Sequence, residues 1–249
     1  MLIANRIDMS AGTEVQVDSS LIGKVGMFRR KAMPSKIVID WSNNEMSAKE
    51  YADYMVRGNA PMGRCVGAHL YIDHLGQIFQ YADLGVYRAR RHPPVDESAI
   101  WIVMQNKGEP PFDPRVPRGV YRYIFGKKEG PSLCCTSDQV DSLMDVIDLI
   151  CRSMSIPMGI PRTKAMDPVA KKLSSKKLDR WSGILLASHA APVLSPGPCV
   201  LEALDELEQM FLSELYEEDE EDEEDEGEPG DDTQEFDEEA FEKAFPDLA

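Results

Sequence analysis

The stretch KIVID, residues 36 to 40, decides the fold of this 249-residue chain. It follows Pro34 and places three β-branched apolar residues between Lys36 and Asp40. A short apolar run of this kind predicts a strand that is buried on both faces. The strand would end at Asp40, so a carboxylate would lie where the sheet meets a loop.

The residues that follow predict a helix and a hairpin. Ser47 and Glu50 have the spacing of a capping box and Gly58 supplies a stop, so a short helix should begin after Ser47 and end near Gly58. The segment AHLYIDHLGQIFQYAD, residues 68–83, alternates between apolar and polar residues on both sides of a break at Gly76. That pattern is typical of a hairpin with a glycine turn.

The second half of the chain continues the alternation of helices and strands. Thr136 and Gln139 form another capping box, and apolar residues recur at helical spacing through residue 155. The remaining predictions are strands at 98–106 and 181–187, a strand at 120–125 inside an irregular insertion, a basic loop at 157–179 and an amphipathic helix at 200–215. Strands interspersed with helices predict an α/β protein with a central mixed β-sheet flanked by helices.

Charge is distributed unevenly along the chain. The formal net charge is -17, and residues 217–249 hold 19 acidic residues against one basic residue, Lys243. We therefore predict an N-terminal extension (1–33), a folded domain (34–215) and an acidic, disordered tail (216–249). A small basic cluster in the extension is interpreted as an exposed, solvated face: Lys24, Arg29, Arg30 and Lys31.

The chain carries no pattern of a membrane or secreted protein. No window reaches the roughly 18 uncharged apolar residues of a membrane span. Arg6 and Asp8 interrupt what would be the apolar core of a signal peptide. Five cysteines without CxxC spacing suit a reducing compartment better than a disulfide framework. We predict a cytoplasmic protein with no membrane partner.

The tail has two parts of different character. Its first part, residues 216–232, is too acidic and too poor in apolar residues to fold. In residues 235–249, the side chains of Phe236, Phe241 and Phe245 fall along one helical stripe with acids opposite. An amphipathic segment on an acidic spacer suits docking into a basic or apolar groove of a protein partner.

The order of these segments resembles that of the N-acetylmuramoyl-L-alanine amidases, a family of zinc-dependent enzymes that includes phage endolysins and peptidoglycan-recognition proteins. The segments that carry the resemblance are KIVIDWS, VGAHLYIDHLGQIFQYAD, ESAIWIVMQNKGE, TSDQVDSLMDVIDLICRSMSIP and ASHAAPVLSPGP. The resemblance implies an amidase-like fold for residues 34–215. It also implies a zinc ion with three protein ligands and one open position, at which a bound water is activated.

The implied zinc site is degenerate in this sequence. The first ligand position falls on Asp40, the second on Ala187 and the third on Ser195; only a two-residue shift brings His189 to the second position. Val193 takes the place of a lysine found in some members. The resemblance further places a set of residues near the family's binding groove: Trp41, His69, Arg88 and Val193.

Three hypotheses follow. The first is a catalytically inactive, amidase-like interaction protein, of phage origin, that needs no cofactor, binds peptidoglycan fragments at most and recruits a protein partner through its tail. The second is an active peptidoglycan amidase with zinc held by Asp40, His189 and Cys199. The third is a nucleic-acid mimic that acts through the acidic tail. Direct binding of nucleic acid is not expected, because no regular series of aromatic residues interleaves with the basic cluster of the extension.

Overall fold

The computed structural model describes residues 16–22, 27–42, 45–57, 67–89, 91–106, 120–125, 128–169, 172–191 and 198–221. Within these segments the strands are β1 (Val17–Asp18), β2 (Phe28–Arg29), β3 (Lys36–Trp41), β4 (Leu70–Ile72), β5 (Ile78–Gln80), β6 (Tyr87–Arg88), β7 (Ala99–Met104), β8 (Val120–Phe125), β9 (Lys128–Leu133) and β10 (Gly183–Leu186). The helices are α1 (Ala48–Val56), α2 (Pro93–Asp96), α3 (Ser137–Met154), α4 (Ser175–Arg180), α5 (Ala187–Ala190) and α6 (Pro198–Glu221).

A six-stranded mixed sheet forms the centre of the fold, with the strand order β1-β5-β4-β7-β3-β10. β4 and β5 pair antiparallel as a hairpin, whereas the other neighbours in this sheet pair in parallel. Two small antiparallel sheets accompany it, one of β2 with β6 and one of β8 with β9. Helices pack on both sides of the central sheet, so the predicted α/β class is confirmed.

β3 lies inside this sheet and is buried along its whole length. It pairs with β7 on one edge and with β10 on the other, so that Ile37 is opposite Ile100 and Ile184. β7 is buried in the same way. Burial on both faces explains why KIVID reads as a continuous apolar run, and the prediction made from it is confirmed.

Local sequence signals set the starts of α1 and α3 as predicted. The Ser47 hydroxyl accepts the backbone N–H of Glu50, and the Glu50 carboxylate accepts the Ser47 N–H at 2.8 Å. Thr136 and Gln139 make the same reciprocal pair at α3. The Thr136 hydroxyl also donates to the carbonyl of His74 at 2.9 Å, which ties the hairpin turn to the helix.

The turn between β4 and β5 requires its glycine. Gly76 has a φ of +78°, a conformation that residues with a side chain rarely adopt. A Cβ at this position would lie 2.5 Å from the carbonyl oxygen of Asp138. The predicted glycine turn is therefore confirmed, and close packing against α3 adds a second reason for it.

The central sheet has two faces of different character. Because side chains alternate along a strand, Ile37 and Ile39 point to one face and Val38 and Asp40 to the other. The first, which we call the apolar face, is covered by α3 and α6 in a cluster that includes Ile37, Ile39, Ile100, Ile102, Leu143, Ile147 and Leu204. The second, the polar face, is covered by α1 and the shorter helices and includes Val38, Tyr51, Tyr71, Trp101, Leu178 and Ala187.

Described residues of the predicted N-terminal extension both lengthen the sheet and wrap the body. β1 adds an edge strand by pairing Val17 with Ile78. β2 pairs Phe28 with Arg88 in the small sheet. The interpretation of the basic cluster as a solvated face is wrong for Arg30, because its side chain is half-buried and donates to carbonyls of the body.

Some local predictions are corrected by the structure. α6 continues to Glu221, so the first residues of the predicted extended tail are helical, since glutamate is a good helix former and each further residue adds a hydrogen bond. Ala187 begins α5 and does not end a strand. The predicted basic loop contains α4, where the Ser174 hydroxyl accepts the N–H of Lys177. The predicted irregular insertion contains β9.

Several residues singled out from the sequence lie outside the described residues: Val193, Ser195, Phe236, Phe241 and Phe245. Among the helices of the described ranges, none is long and apolar enough to span a membrane.

Candidate functional site

The candidate site lies at the carboxyl end of β3, on the polar face. Asp40 pairs in register with Val103 of β7. On the other side, Leu186 pairs with Ile39, and Ala187 leaves the strand directly after that pair. The resemblance assigns its first two ligand positions to residues 40 and 187. Both residues therefore lie at the carboxyl ends of neighbouring strands, β3 and β10.

Asp40 forms an ion pair with Arg91. The guanidinium of Arg91 donates to Oδ2 of Asp40 and, at 2.9 Å, to the hydroxyl of Tyr51 on α1. It also lies over the ring of Trp101, 5.0 Å from the ring centroid. The second oxygen of Asp40 accepts the backbone N–H of Trp41 at 2.9 Å. The Asp40 carboxylate is thus directed to a cation that the chain itself supplies.

This ion pair is shielded from solvent. Only 12% of the Arg91 side chain and 13% of the Asp40 side chain are exposed. Burial alone would lower the pKa of Arg91, but Tyr51 and Asp40 raise it by more, so that its pKa lies above the ordinary value. Burial also raises the pKa of Tyr51. Arg91 is therefore a permanent cation beside Asp40, and Tyr51 a neutral hydroxyl.

His189 cannot act as a ligand in this arrangement, because both of its ring nitrogens hold backbone groups. Nδ1 accepts the N–H of Leu186 at 3.0 Å, so the proton is on Nε2, which donates to the carbonyl of Val169. The side chain is fully buried. Burial lowers the pKa of His189 to about 4, so the ring is neutral at physiological pH. Its role in the structure is to connect α5 to the segment around Val169.

The alternative ligand set of Asp40, His189 and Cys199 is not brought together. Cys199, near the start of α6, packs against the cluster of the apolar face, whereas Asp40 lies on the polar face. Its thiol contacts that of Cys134. Among the residues that the structure describes, no group of three histidine, cysteine, aspartate or glutamate side chains could hold a metal ion.

The residues at the two described ligand positions, Asp40 and Ala187, do not fit a zinc ion. Ala187, at the second ligand position, has no donor atom, and its side chain is buried. Asp40 could offer a carboxylate oxygen only next to the positive charge of Arg91. Zinc in proteins is held by thiolate, imidazole and carboxylate groups, and three such ligands leave the open position that catalysis needs. The two described ligand positions supply a single such group, the carboxylate of Asp40, and this carboxylate is already paired with Arg91.

His69, predicted to line a groove, lies in the interior instead and is fully buried. Its Nδ1 accepts the N–H of Trp101 at 2.9 Å, and its Nε2 donates to the carbonyl of Tyr87 at 2.9 Å. Burial, together with the neighbouring Arg30, lowers the pKa of His69 to about 3. The neutral ring therefore joins β7 to β6, and the expectation that it contacts a ligand is corrected.

The other two described groove candidates, Trp41 and Arg88, differ from each other in solvent exposure. Trp41 is buried at the end of β3. Arg88 is partly exposed, forms an ion pair with Glu97 at 3.1 Å and lies over the ring of Phe28 at 5.9 Å. Of the described candidates, Arg88 is thus the one that a ligand in solution could reach.

No local pattern in the sequence indicates that the side chain of Arg30 packs against the body. Its guanidinium donates to the carbonyls of Tyr87 at 2.7 Å, Glu97 at 3.2 Å and Ala99 at 3.1 Å. Burial lowers the pKa of Arg30 to about 10, which leaves it charged at neutral pH. Arg30 therefore fixes the N-terminal segment to β6 and to the start of β7.

No local pattern indicates the position of Arg91 either, although this residue determines the chemistry of the site. It lies in the run RARRHPP, residues 88–94, which offers no periodic pattern. Its partner Asp40 is 51 residues away in the chain. A signal was present in Asp40 itself, since a carboxylate at the end of a strand that is buried on both faces needs a positive partner.

The sequence matches no protein-family model and no curated protein. Among solved structures, the fold is similar to that of the Ph2119 endolysin from a Thermus scotoductus bacteriophage, with a TM-score of 0.46 and 10% identity over 73% of this chain and 89% of that one. It is also similar to an N-acetylmuramoyl-L-alanine amidase from Clostridium intestinale, with a TM-score of 0.39 and 13% identity over 73% of this chain and 89% of that one. A third is the Drosophila peptidoglycan recognition protein SA, with a TM-score of 0.42 and 9% identity over 73% of this chain and 83% of that one. At these scores the similarity identifies neither an activity nor a ligand.

Proposed function

We propose that this protein is an amidase-like protein without hydrolytic activity, which acts by binding other molecules. The observation that carries the proposal is the buried ion pair between Asp40 and Arg91. The sequence resemblance assigns Asp40 to the first ligand position, and Asp40 lies near the carboxyl end of β3. There the carboxylate is compensated by a guanidinium of the same chain.

The ion pair between Asp40 and Arg91 opposes metal-dependent hydrolysis for an electrostatic reason. A divalent cation at Asp40 would lie beside the fixed positive charge of Arg91, and like charges in a shielded site repel strongly. Displacing Arg91 would cost its bond to Tyr51 and its contact with Trp101. Ala187, at the second ligand position, offers no donor atom that could compensate for that loss.

The test measures metal content and activity on the same sample. The full chain is incubated with excess zinc, desalted and analysed by inductively coupled plasma mass spectrometry, and then incubated with purified peptidoglycan. We expect zinc far below one ion per chain and no release of stem peptide. A working amidase in the same assay is the positive control. About one zinc ion per chain together with stem-peptide release would refute the proposal.

The proposed binding function of the tail rests on its sequence pattern. α6 continues as far as Glu221, and the acidic segment with its three phenylalanines follows in the sequence. In this proposal Phe236, Phe241 and Phe245 dock into an apolar, basic groove of a protein partner. The acidic residues between α6 and these phenylalanines act as an extended spacer.

Two full-length variants separate tail docking from charge mimicry. One replaces the three phenylalanines by alanine and keeps every charge; the other replaces the acids of residues 217–226 by their amides and keeps the phenylalanines. Each is compared with the unmodified chain in quantitative pull-downs from host extract. Loss of a defined partner with the phenylalanine variant supports docking. Loss with the amide variant alone supports the nucleic-acid mimic instead.

Peptidoglycan fragments are the proposed ligand of the body, on the basis of the sequence resemblance. Arg88, partly exposed on β6 beside Glu97, is the side chain through which an acidic fragment would be held. Calorimetric titration of the full chain with a soluble muropeptide tests this, with Arg88→Gln as the variant and Arg57→Gln as the matched control. Arg57 is exposed at the end of α1. Equal heats for both variants would argue against it.

A further inference from the structure

A groove runs between α3 and α6, on the outer side of the helices that cover the apolar face. Its volume is about 370 Å³. Its lining includes apolar side chains from both helices, Met144 from α3 and Leu207, Met210 and Phe211 from α6. Because the candidate site lies on the polar face, this α3–α6 groove is on the opposite side of the central sheet.

The apolar part of the groove is accessible. Met144, Leu207 and Phe211 pack against the core cluster of the apolar face and are only partly buried. Met210 is 60% exposed, more than a methionine side chain of a folded body usually is. Flexible methionine side chains can adapt to different partner shapes and are common on binding surfaces.

The edges of the groove are acidic. Asp141, Asp145 and Asp148 follow one another along one side of α3, and Glu206 faces them from α6. Burial, with the neighbouring Asp141 and Asp148, raises the pKa of Asp145. Arg152 is the basic residue in the lining, and it pairs with Asp148 at 2.7 Å. The groove therefore has an apolar floor and an excess of negative charge.

We propose that the α3–α6 groove binds a basic amphipathic helix of a partner protein. Apolar side chains on one stripe of that helix would enter between Met144, Leu207 and Met210. Lysine or arginine residues beside the stripe would meet the aspartates of α3. Such a match of an apolar stripe with a groove is a common mode of helix recognition.

The negative charge of the groove argues against two other occupants, the tail of this chain and a second copy of it. The tail of this chain holds 19 acids and one base between residues 217 and 249, so the acidic groove repels it. A second copy that presented the same α3–α6 surface would bring like charges face to face, which is costly at an interface. A basic partner relieves the crowding of Asp141, Asp145 and Asp148 instead.

The test uses the full chain and three synthetic helical peptides labelled with fluorescein. The first combines leucine and lysine in an amphipathic pattern, the second has the same lysines with serine in place of leucine, and the third has glutamate in place of lysine. The serine peptide measures charge attraction to the acidic tail and to the edges of the groove, without the apolar contacts. We expect the leucine–lysine peptide to bind tightest, and the glutamate peptide not to bind.

Variants locate the binding surface. Met210→Arg changes an exposed position of the groove floor, and Asp145→Lys changes its edge. Asp53→Lys makes the same charge change at an exposed position of α1, far from the groove, and is the matched control. The affinity of the leucine–lysine peptide should fall on the order of tenfold in both groove variants, as is typical for residues central to an interface, and remain near that of the unmodified chain in the control.

Each alternative outcome overturns the proposal. Equal binding of the serine and leucine peptides, or equal effects of Asp145→Lys and Asp53→Lys, would assign the binding to general charge attraction. Self-association in sedimentation velocity that Met210→Arg abolishes would assign the groove to a second copy of this chain. Far-ultraviolet circular dichroism confirms that the variants are folded. Metal content and the phenylalanine variants of the tail are measured separately, so this proposal and the proposed function fail independently.

Discussion

The two faces of the central sheet are stabilised in different ways. On the apolar face, residues such as Leu143 and Ile147 are fully buried and need no polar partner. On the polar face, Asp40, His69 and His189 are buried, and each forms at least one hydrogen bond with a residue that is distant in the chain. A packed apolar surface responds to changes in volume, whereas buried polar groups respond to the loss of one partner or to a change in protonation. This difference between the faces can be measured as the effect of substitutions and of pH on the free energy of unfolding.

The largest effect is expected from Arg91→Met. The substitution keeps much of the side-chain volume but leaves the Asp40 carboxylate buried without its cation. Breaking a buried ion pair in this way costs about 3–5 kcal/mol. The free energy of unfolding, measured by urea titration at pH 7.5, should decrease by that amount.

The double variant Asp40→Leu with Arg91→Met is the control for this effect. It removes both charges, and apolar replacement of a complete buried pair is often neutral or stabilising. We expect it to recover most of the stability that the single variant loses. If the single variant were as stable as the unmodified chain, the ion pair would not be shielded as the structure indicates.

The second effect is a loss of stability in mild acid. The pKa values of His69 and His189 in the folded state, about 3 and about 4, lie below the ordinary value of 6.5. As the pH falls below about 6.5, the unfolded chain binds protons that the folded chain does not, so stability is complete above this value and decreases below it. Between pH 7.5 and 5.5 each histidine should remove about 1 kcal/mol from the free energy of unfolding.

His189→Gln isolates one of the two contributions. Glutamine has an acceptor and a donor for Leu186 and Val169 but does not titrate. The variant should lose about half of the pH dependence between pH 7.5 and 5.5. An unchanged dependence would mean that other groups, and not the buried histidines, bind the protons.

A smaller effect is expected on the apolar face. Ile147→Val removes one buried methylene group from α3 and should cost about 0.5–1.5 kcal/mol. Since no titrating group is involved, the loss should be the same at pH 7.5 and at pH 5.5. A loss that grows as the pH falls would contradict the distinction between the two faces.

The smallest effect is expected on the outer surface of the same helix. Arg152 pairs with Asp148 one turn away, and 51% of its side chain is exposed. Exposed pairs of this spacing contribute about 0.3–0.5 kcal/mol. Arg152→Gln should therefore change the urea midpoint slightly at low salt, and by even less in 0.5 M salt, which screens the pair.

The parts of the fold that follow from neighbouring residues could be predicted from the sequence. The capping boxes at Ser47 and Thr136 and the glycine turn at Gly76 act within a few residues, and the structure confirms all three. The burial of KIVID was also predictable, because a strand that is covered on both faces needs apolar residues at consecutive positions.

The candidate site was predictable only in part. The position of Asp40 at the end of β3 follows from the apolar run before it. Its pairing with Arg91 depends on a contact between distant segments, for which neither segment carries a local signal. The hydrogen bonds of His189 to Leu186 and Val169 likewise depend on the position of α5, which the sequence does not indicate.

The position of Arg30 has a practical consequence for shortened versions of the chain. A version beginning at residue 34, the domain boundary that the sequence indicates, would lack this guanidinium and its hydrogen bonds to the carbonyls of Tyr87, Glu97 and Ala99. It would also lack β1 and β2, exposing the outer edge of β5 and the partner side of β6. Deletion series intended to separate the body from its appendages should therefore start no later than residue 16.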